Sequence, residues 1–167
     1  TALVGTTLAA NDGAAGGADE KSCSYVVTHI DAGSYDNTAT VVVTDNEGST
    51  GTDSDDETVT VNDVAPTVDI TKTASPLSLD EPGGDFTFTL LIQNLSTEPV
   101  TITSLTDSNL LSAECLALVG TTLAANDGAA GGADETSCTY TVTHTDAGDY
   151  DNTATVVVTD NEGSTGT

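Results

Sequence analysis

Carboxylates are the most abundant groups in this chain that could do chemistry. Twenty-seven Asp and Glu residues stand against Lys21, Lys72 and no Arg, a formal net charge of −25 over 167 residues. The acids gather in turn-rich stretches such as Asp80-Glu81-Pro82-Gly83 and Asp160-Asn161-Glu162-Gly163. Calcium takes about six to eight oxygen ligands from carboxylates, carbonyls and amides, and tolerates irregular loops. A transition metal would call for thiolate or imidazole. His29 and His144 are copies of one position, lone on an apolar strand face, and read as packed side chains rather than ligands. Calcium is therefore the expected cofactor, and a merely solvated acidic surface is the alternative.

The same charge balance excludes nucleic acid, whose phosphates need Lys and Arg, and an anionic membrane surface. No apolar run approaches the roughly 18 residues that span a bilayer. Nothing marks a catalytic cleft, and no Ser-His-Asp or Cys-His motif occurs, so no enzymatic activity is expected.

Cys115 and Cys138 bracket 22 residues that include a Gly/Ala-rich tract expected to be flexible. A disulfide between them would stabilise by roughly 3 kcal/mol through the denatured-state entropy, and it implies an oxidising, extracytoplasmic setting. A two-cysteine metal site lacks companion ligands.

The elements that must position these groups repeat. Ala2–Thr52 recur as Ala117–Thr167, an offset of 115, and only five of the 51 pairs differ. The pairs are Lys21/Thr136, Ser24/Thr139, Val26/Thr141, Ile30/Thr145 and Ser34/Asp149. Cys23 is the copy of Cys138, and the copy of Cys115 would fall one place before Thr1. Cys23 is thus expected to pair with a residue before the start of the chain, with a free or intermolecular cysteine as the alternative. The chain reads as a window on a longer array of 115-residue repeats.

Period-two patterning makes the repeat a strand protein. Phe86, Phe88, Leu90 and Ile92 share one face. Cys138, Tyr140, Val142 and His144 share another, and Val68 with Ile70, and Val59 with Val61, alternate with polar residues. No stretch shows a helical period. About seven short strands per repeat, divided by Pro and Gly turns, predict an all-β fold of antiparallel sandwiches. The boundary falls at Asn62–Pro66: 1–63 is read as the C-terminal part of one sandwich, and 64–167 as the next, lacking its last strand.

Asp146-Ala147-Gly148-Asp149-Tyr150-Asp151-Asn152, and its copy Asp31–Asn37, resembles the immunoglobulin corner in which a tyrosine hydroxyl bonds back to the chain. Val68–Pro76, Glu81–Phe88 and Pro99–Asp107 together resemble a conserved immunoglobulin-like domain that is found in tandem arrays in bacterial and archaeal cell-surface proteins. That resemblance implies an extracellular stalk, sheath, adhesin or filament module whose partners are neighbouring identical repeats. Val59–Pro66 is similar, over fewer residues, to the cadherin junction, where an Asn-Asp linker helps hold calcium between domains.

On the resemblance, the acids fall at two poles. Asp80, Glu81, Asp107, Asp146 and Asp149 occupy one. Glu98, Asn126-Asp127, Asp134-Glu135 and Asp160 with Glu162 occupy the other, facing the preceding repeat. Linker residues Asn62 and Asp63, with Asp31 and Asp36, are expected to approach Glu98, Asp127 or Asp160, where a divalent cation turns repulsion into a clamp. Asp53–Glu57 begins like an EF-hand loop but fails its later spacing, and reads as a strand bulge or an outward acidic ladder.

Three smaller readings remain. Lys72 shares the face of Val68 and Ile70, while Asn152 shares that of Tyr150 and Val156. Some surface immunoglobulin-like domains join such a pair beside a carboxylate, but the expectation here is a lysine reaching solvent at the strand end. Asn94-Leu95-Ser96 is a glycosylation sequon. Alternating Thr residues leave a binding module for surface glycans or ice as the alternative function, although twisted strands spoil a flat Thr array and the six rings are better used in a core.

Overall fold

The computed structural model describes residues 3–167. The chain divides into two compact units, up to Asp31 and from Ala32 onward. In the first unit, residues 3–31 form turns without a strand. Within it a loop is closed by the Ala9 N–H, which donates to the Ala18 carbonyl.

In the second unit all the sheets are antiparallel. β1 (Gly33–Thr44) and β2 (Thr50–Val61) make a hairpin. β3 (Val68–Ser75), β4 (Gly84–Asn94) and β7 (Glu135–His144) form a three-stranded sheet in the order β3-β4-β7. β5 (Val100–Asp107), β6 (Thr122–Leu123), β8 (Ala154–Thr159) and β9 (Thr165–Gly166) form a four-stranded sheet in the order β6-β5-β8-β9. Leu90 and Ile92 of β4, Cys138 and Tyr140 of β7, Ile102 and Leu105 of β5, and Val156 and Val158 of β8 bury together in one core. This is an all-β architecture consistent with a β-sandwich, and the predicted alternation of β4 and β7 sets which faces turn inward.

One element departs from the strand pattern. Ala113–Leu116 form a single helical turn, α1, which seats Cys115 in the core. The Ser112 hydroxyl accepts from the Cys115 N–H at 3.2 Å and donates to the Thr139 carbonyl at 2.7 Å. One turn is too short to leave a period in the sequence. Cys115 and Cys138 are joined by a disulfide, as their spacing suggested, while Cys23 is an exposed free thiol.

Near-identical sequences take different structures in the two copies. Residues 20–29, the copy of β7, are not a strand, and Tyr25 is 66% exposed where its copy Tyr140 is 3% exposed. β7 is held by its ladder with β4, and the counterpart of β4 would lie before Thr1. β1 and β2 pair in the register that β8 and β9 repeat: Val43↔Gly51 and Thr44↔Thr50 become Val158↔Gly166 and Thr159↔Thr165. Yet Val43 is half exposed while Val158 is sealed in the core. Strand pairing is local to the hairpin, whereas burial needs the opposite sheet. Asp53–Glu57 lie within the unbroken β1–β2 ladder, an exposed acidic row with no bulge.

Candidate metal centre

The turn between β8 and β9 is built by one carboxylate. Asp160 Oδ1 accepts the backbone N–H groups of Glu162 (3.1 Å), Gly163 (2.8 Å) and Ser164 (2.8 Å). Asp45 organises the equivalent turn between β1 and β2, accepting from Glu47 and Ser49. The Asp-Asn-Glu-Gly-Ser sequence therefore dictates this turn wherever it occurs, as an aspartate bonding to the backbone just ahead of it.

The second oxygen of Asp160, Oδ2, is buried and has no hydrogen-bond partner. Ligand oxygens of Asp63, Asp160 and Glu162 lie within 4.8 Å of one another, the one group of three acids among the described residues that converges this closely. Asp63 comes from the linker before β3. It is steered there by the Ser164 hydroxyl, which donates to Asp63 Oδ2 at 2.5 Å. Glu162 Oε1 also accepts the Ala32 N–H at the foot of β1, at 3.2 Å. Pro66 is buried, and its carbonyl lies so close to Gly166 that a Cβ there would collide with it. The all-oxygen donor set suits a hard divalent cation rather than zinc or copper.

A second set of acids, Asp127, Asp134 and Glu135, closes the loop before β7. The Asp127 N–H faces Asp134 Oδ2, Asp127 Oδ1 accepts from Ala129, and Glu135 Oε2 accepts from Gly131. Asp134 is 1% exposed, and its Oδ1 has no partner. Asp12, Asp19 and Glu20 reproduce these bonds in the first unit, where Asp19 Oδ1 is likewise orphaned. The Gly/Ala tract expected to be flexible is thus a hydrogen-bonded loop that its own sequence closes twice. Gly132 is required there, because a Cβ would collide with Asp134 Oδ1 and crowd Asp127 Oδ2. Gly132→Ala should cost about 1–3 kcal/mol, in line with overpacking in a tight site. Urea unfolding at fixed calcium checks this.

The sequence-predicted acids therefore separate. Asp63 and Asp160 come together, joined by Glu162, which the sequence placed with Asp160 at the same pole. Asp127 and Asp134 pair with each other. Asp36 Oδ1 accepts the Thr58 hydroxyl across the hairpin. Asn62 and Asp80 are exposed, and Glu98 lends its carbonyl to Asn94. Asp31 belongs to the first unit. Glu81 accepts the Ala147 N–H, which brings the loop before β4 to the turn that carries Asp146 and Asp149. In that turn the Tyr150 hydroxyl donates to the Asp146 carbonyl at 2.8 Å, the bond back to the chain that the corner motif predicted, and its ring stacks on His144 at 3.6 Å.

Asp107 does something else. Its side chain is fully buried, and Oδ2 takes hydrogen bonds from Lys72 Nζ at 2.5 Å and from the Tyr140 hydroxyl at 2.7 Å. Burial pushes the Asp107 carboxyl up, but the bonds from Lys72, the Asn109 N–H and Tyr140, with the lysine charge, hold it below the usual carboxylate range. Burial and the bond to Asp107 push the Tyr140 hydroxyl well above its ordinary value. Lys72, expected to reach solvent, is instead turned inward, because a buried carboxylate lies within its reach and its ammonium sits over the rings of Phe88 and Tyr140, 5.1 and 5.5 Å from their centroids.

The chain matches no protein-family model, no curated protein and no solved structure.

Proposed function

We propose that this chain is a structural module of a long extracellular surface protein or filament, built from near-identical immunoglobulin-like β-sandwich repeats whose junctions are stiffened by calcium. The observation that carries the reading is the convergence of Asp63, from the linker, on Asp160 and Glu162, from the turn of the following module. Three carboxylates with one orphaned oxygen repel unless a cation joins them. A bound ion then ties the linker to the module it precedes. The 115-residue identity and the registers shared by β1–β2 and β8–β9 support an array. In such an array the apolar face of β1, exposed at Val41 and Val43, is covered by strands of its own repeat. The tyrosine corner supports the immunoglobulin-like reading, and the disulfide supports an oxidising location.

Calcium binding to the folded form alone adds about 2.7 kcal/mol at a hundredfold excess over Kd. For a module of this size, that raises Tm by roughly 10 °C. Calorimetry of this chain across calcium concentrations should show that rise, and chelator should reverse it. Asp160→Asn with Glu162→Gln should remove most of it. A melting curve unchanged up to millimolar calcium would leave only a solvated acidic surface.

A further inference from the structure

We propose that Lys72 and Asn152 react with each other inside the folded module to form an isopeptide bond, with Asp107 as the catalytic proton carrier. The inference stands apart from calcium and from the junction.

The groups are already assembled in a continuous polar chain through the core edge. Lys72 Nζ touches Asp107 Oδ2, Asp107 Oδ2 accepts the Tyr140 hydroxyl, and that hydroxyl accepts Asn152 Nδ2–H at 2.8 Å. The other end of the carboxamide is fixed too, since the Ser108 hydroxyl donates to Asn152 Oδ1 at 2.9 Å. Lys72 and Asn152 line one cleft, walled by Phe88 and Tyr150. Nothing in a strand sandwich requires this expense. A buried ion pair is commonly neutral or unfavourable beside apolar residues of equal volume, and Lys72 is the one lysine among residues 22–167. An electrophile held at both ends beside an amine and a proton carrier is the arrangement that nucleophilic chemistry needs.

The step balances without a co-reactant. The step starts from the minority of molecules in which the proton shared by Nζ and Oδ2 sits on Asp107 and the amine is neutral. The Nζ lone pair attacks Cγ of Asn152 and the Nζ–Cγ bond forms. Asp107 moves a proton from the attacking nitrogen to Nδ2, the Cγ–Nδ2 bond breaks, and the nitrogen leaves as ammonia. Ammonia takes the remaining proton, so one ammonium ion is released and the Asp107 carboxylate is restored. Departure of ammonia makes the bond permanent even where the reactive protonation state is scarce. The product ties β3 in one sheet to the approach to β8 in the other.

The test is the intact mass of the purified, reduced and denatured chain. The expected mass is lower than the sequence mass by one ammonia, since the counterparts of Lys72 and Asp107 in the first copy would lie before Thr1. Tandem mass spectrometry of a digest should show a branched peptide that contains both Lys72 and Asn152. Lys72→Met, Asn152→Ala and Asp107→Ala should each carry full mass, whereas Lys21→Met should keep the deficit. A wild-type chain of full mass after days in folded form at neutral pH overturns the proposal, and so does an ammonia deficit that maps to a succinimide at any asparagine. The wild-type measurement stands even if the Asp107 variant does not fold.

Discussion

Asn94→Ala should destabilise the module by about 3 kcal/mol, the largest loss expected from any single surface-neutral substitution, because it leaves buried carbonyls without donors. Asn94 ends β4 with a side chain that no solvent reaches. Its Nδ2 donates to the carbonyls of Glu98 and Ala124, each at 2.7 Å, and its Oδ1 accepts the Ser96 N–H at 2.9 Å. Its backbone joins the same pole: the N–H donates to the Asp134 carbonyl, and the carbonyl accepts Asn126 Nδ2. The side chain thus splices the turn before β5 to the chain just after β6, while the backbone of the same residue ties in the closed Asp127–Asp134 loop. Denaturant unfolding of Asn94→Ala and Asn94→Leu distinguishes the causes. Leucine refills the volume but leaves the carbonyls orphaned, so both variants should lose similar stability. Recovery in the leucine variant would show that packing, not hydrogen bonding, carries the effect. The same burial closes the sequon reading for the folded module, since Nδ2 is not accessible to a glycan.

Asn94 marks where sequence reading ended. Strand content, the inward faces of β4 and β7, the disulfide and the Tyr150 corner were legible because each rests on local spacing or a period of two. The convergence of Asp63 and Asp160 was legible only through the repeat boundary, which put a linker acid beside a turn acid. Glu162 was legible as a neighbour of Asp160 at the same pole, but its approach to Asp63 was not, because side chains two residues apart in a tight turn have no fixed direction until Asp160 has captured the backbone. α1 left no period. The state of residues 20–29 could not be read at all: their sequence is almost that of β7, and whether they become a strand depends on a partner strand rather than on themselves. Lys72 was misjudged because parity gives a face but not the carboxylate that waits on the neighbouring sheet.

Opening the Cys115–Cys138 disulfide should cost roughly 3 kcal/mol, the chain-entropy value for a closed loop of this length. The bridge joins α1 to β7 across a sequence separation of 23, and both cysteines are buried among Leu90, Leu111 and Tyr140. The loop it closes is also shut by its own hydrogen bonds, from the Ala124 N–H to the Ala133 carbonyl and through Asp127 and Asp134. Those bonds are local and lapse on unfolding, so they limit the native state while the disulfide limits the denatured one. The two contributions should therefore add rather than replace each other. A Cys115→Ala/Cys138→Ala chain, compared with the parent in urea, should show a lower midpoint and a larger slope, because an uncrosslinked denatured chain exposes more surface. In the parent, reduction should produce the same displacement, and Cys23→Ser should produce none. Equal midpoints with and without the bridge would mean that the hydrogen-bonded loop already confines the unfolded chain, and that the closure belongs to the sequence Asn126–Glu135 instead of the sulfurs.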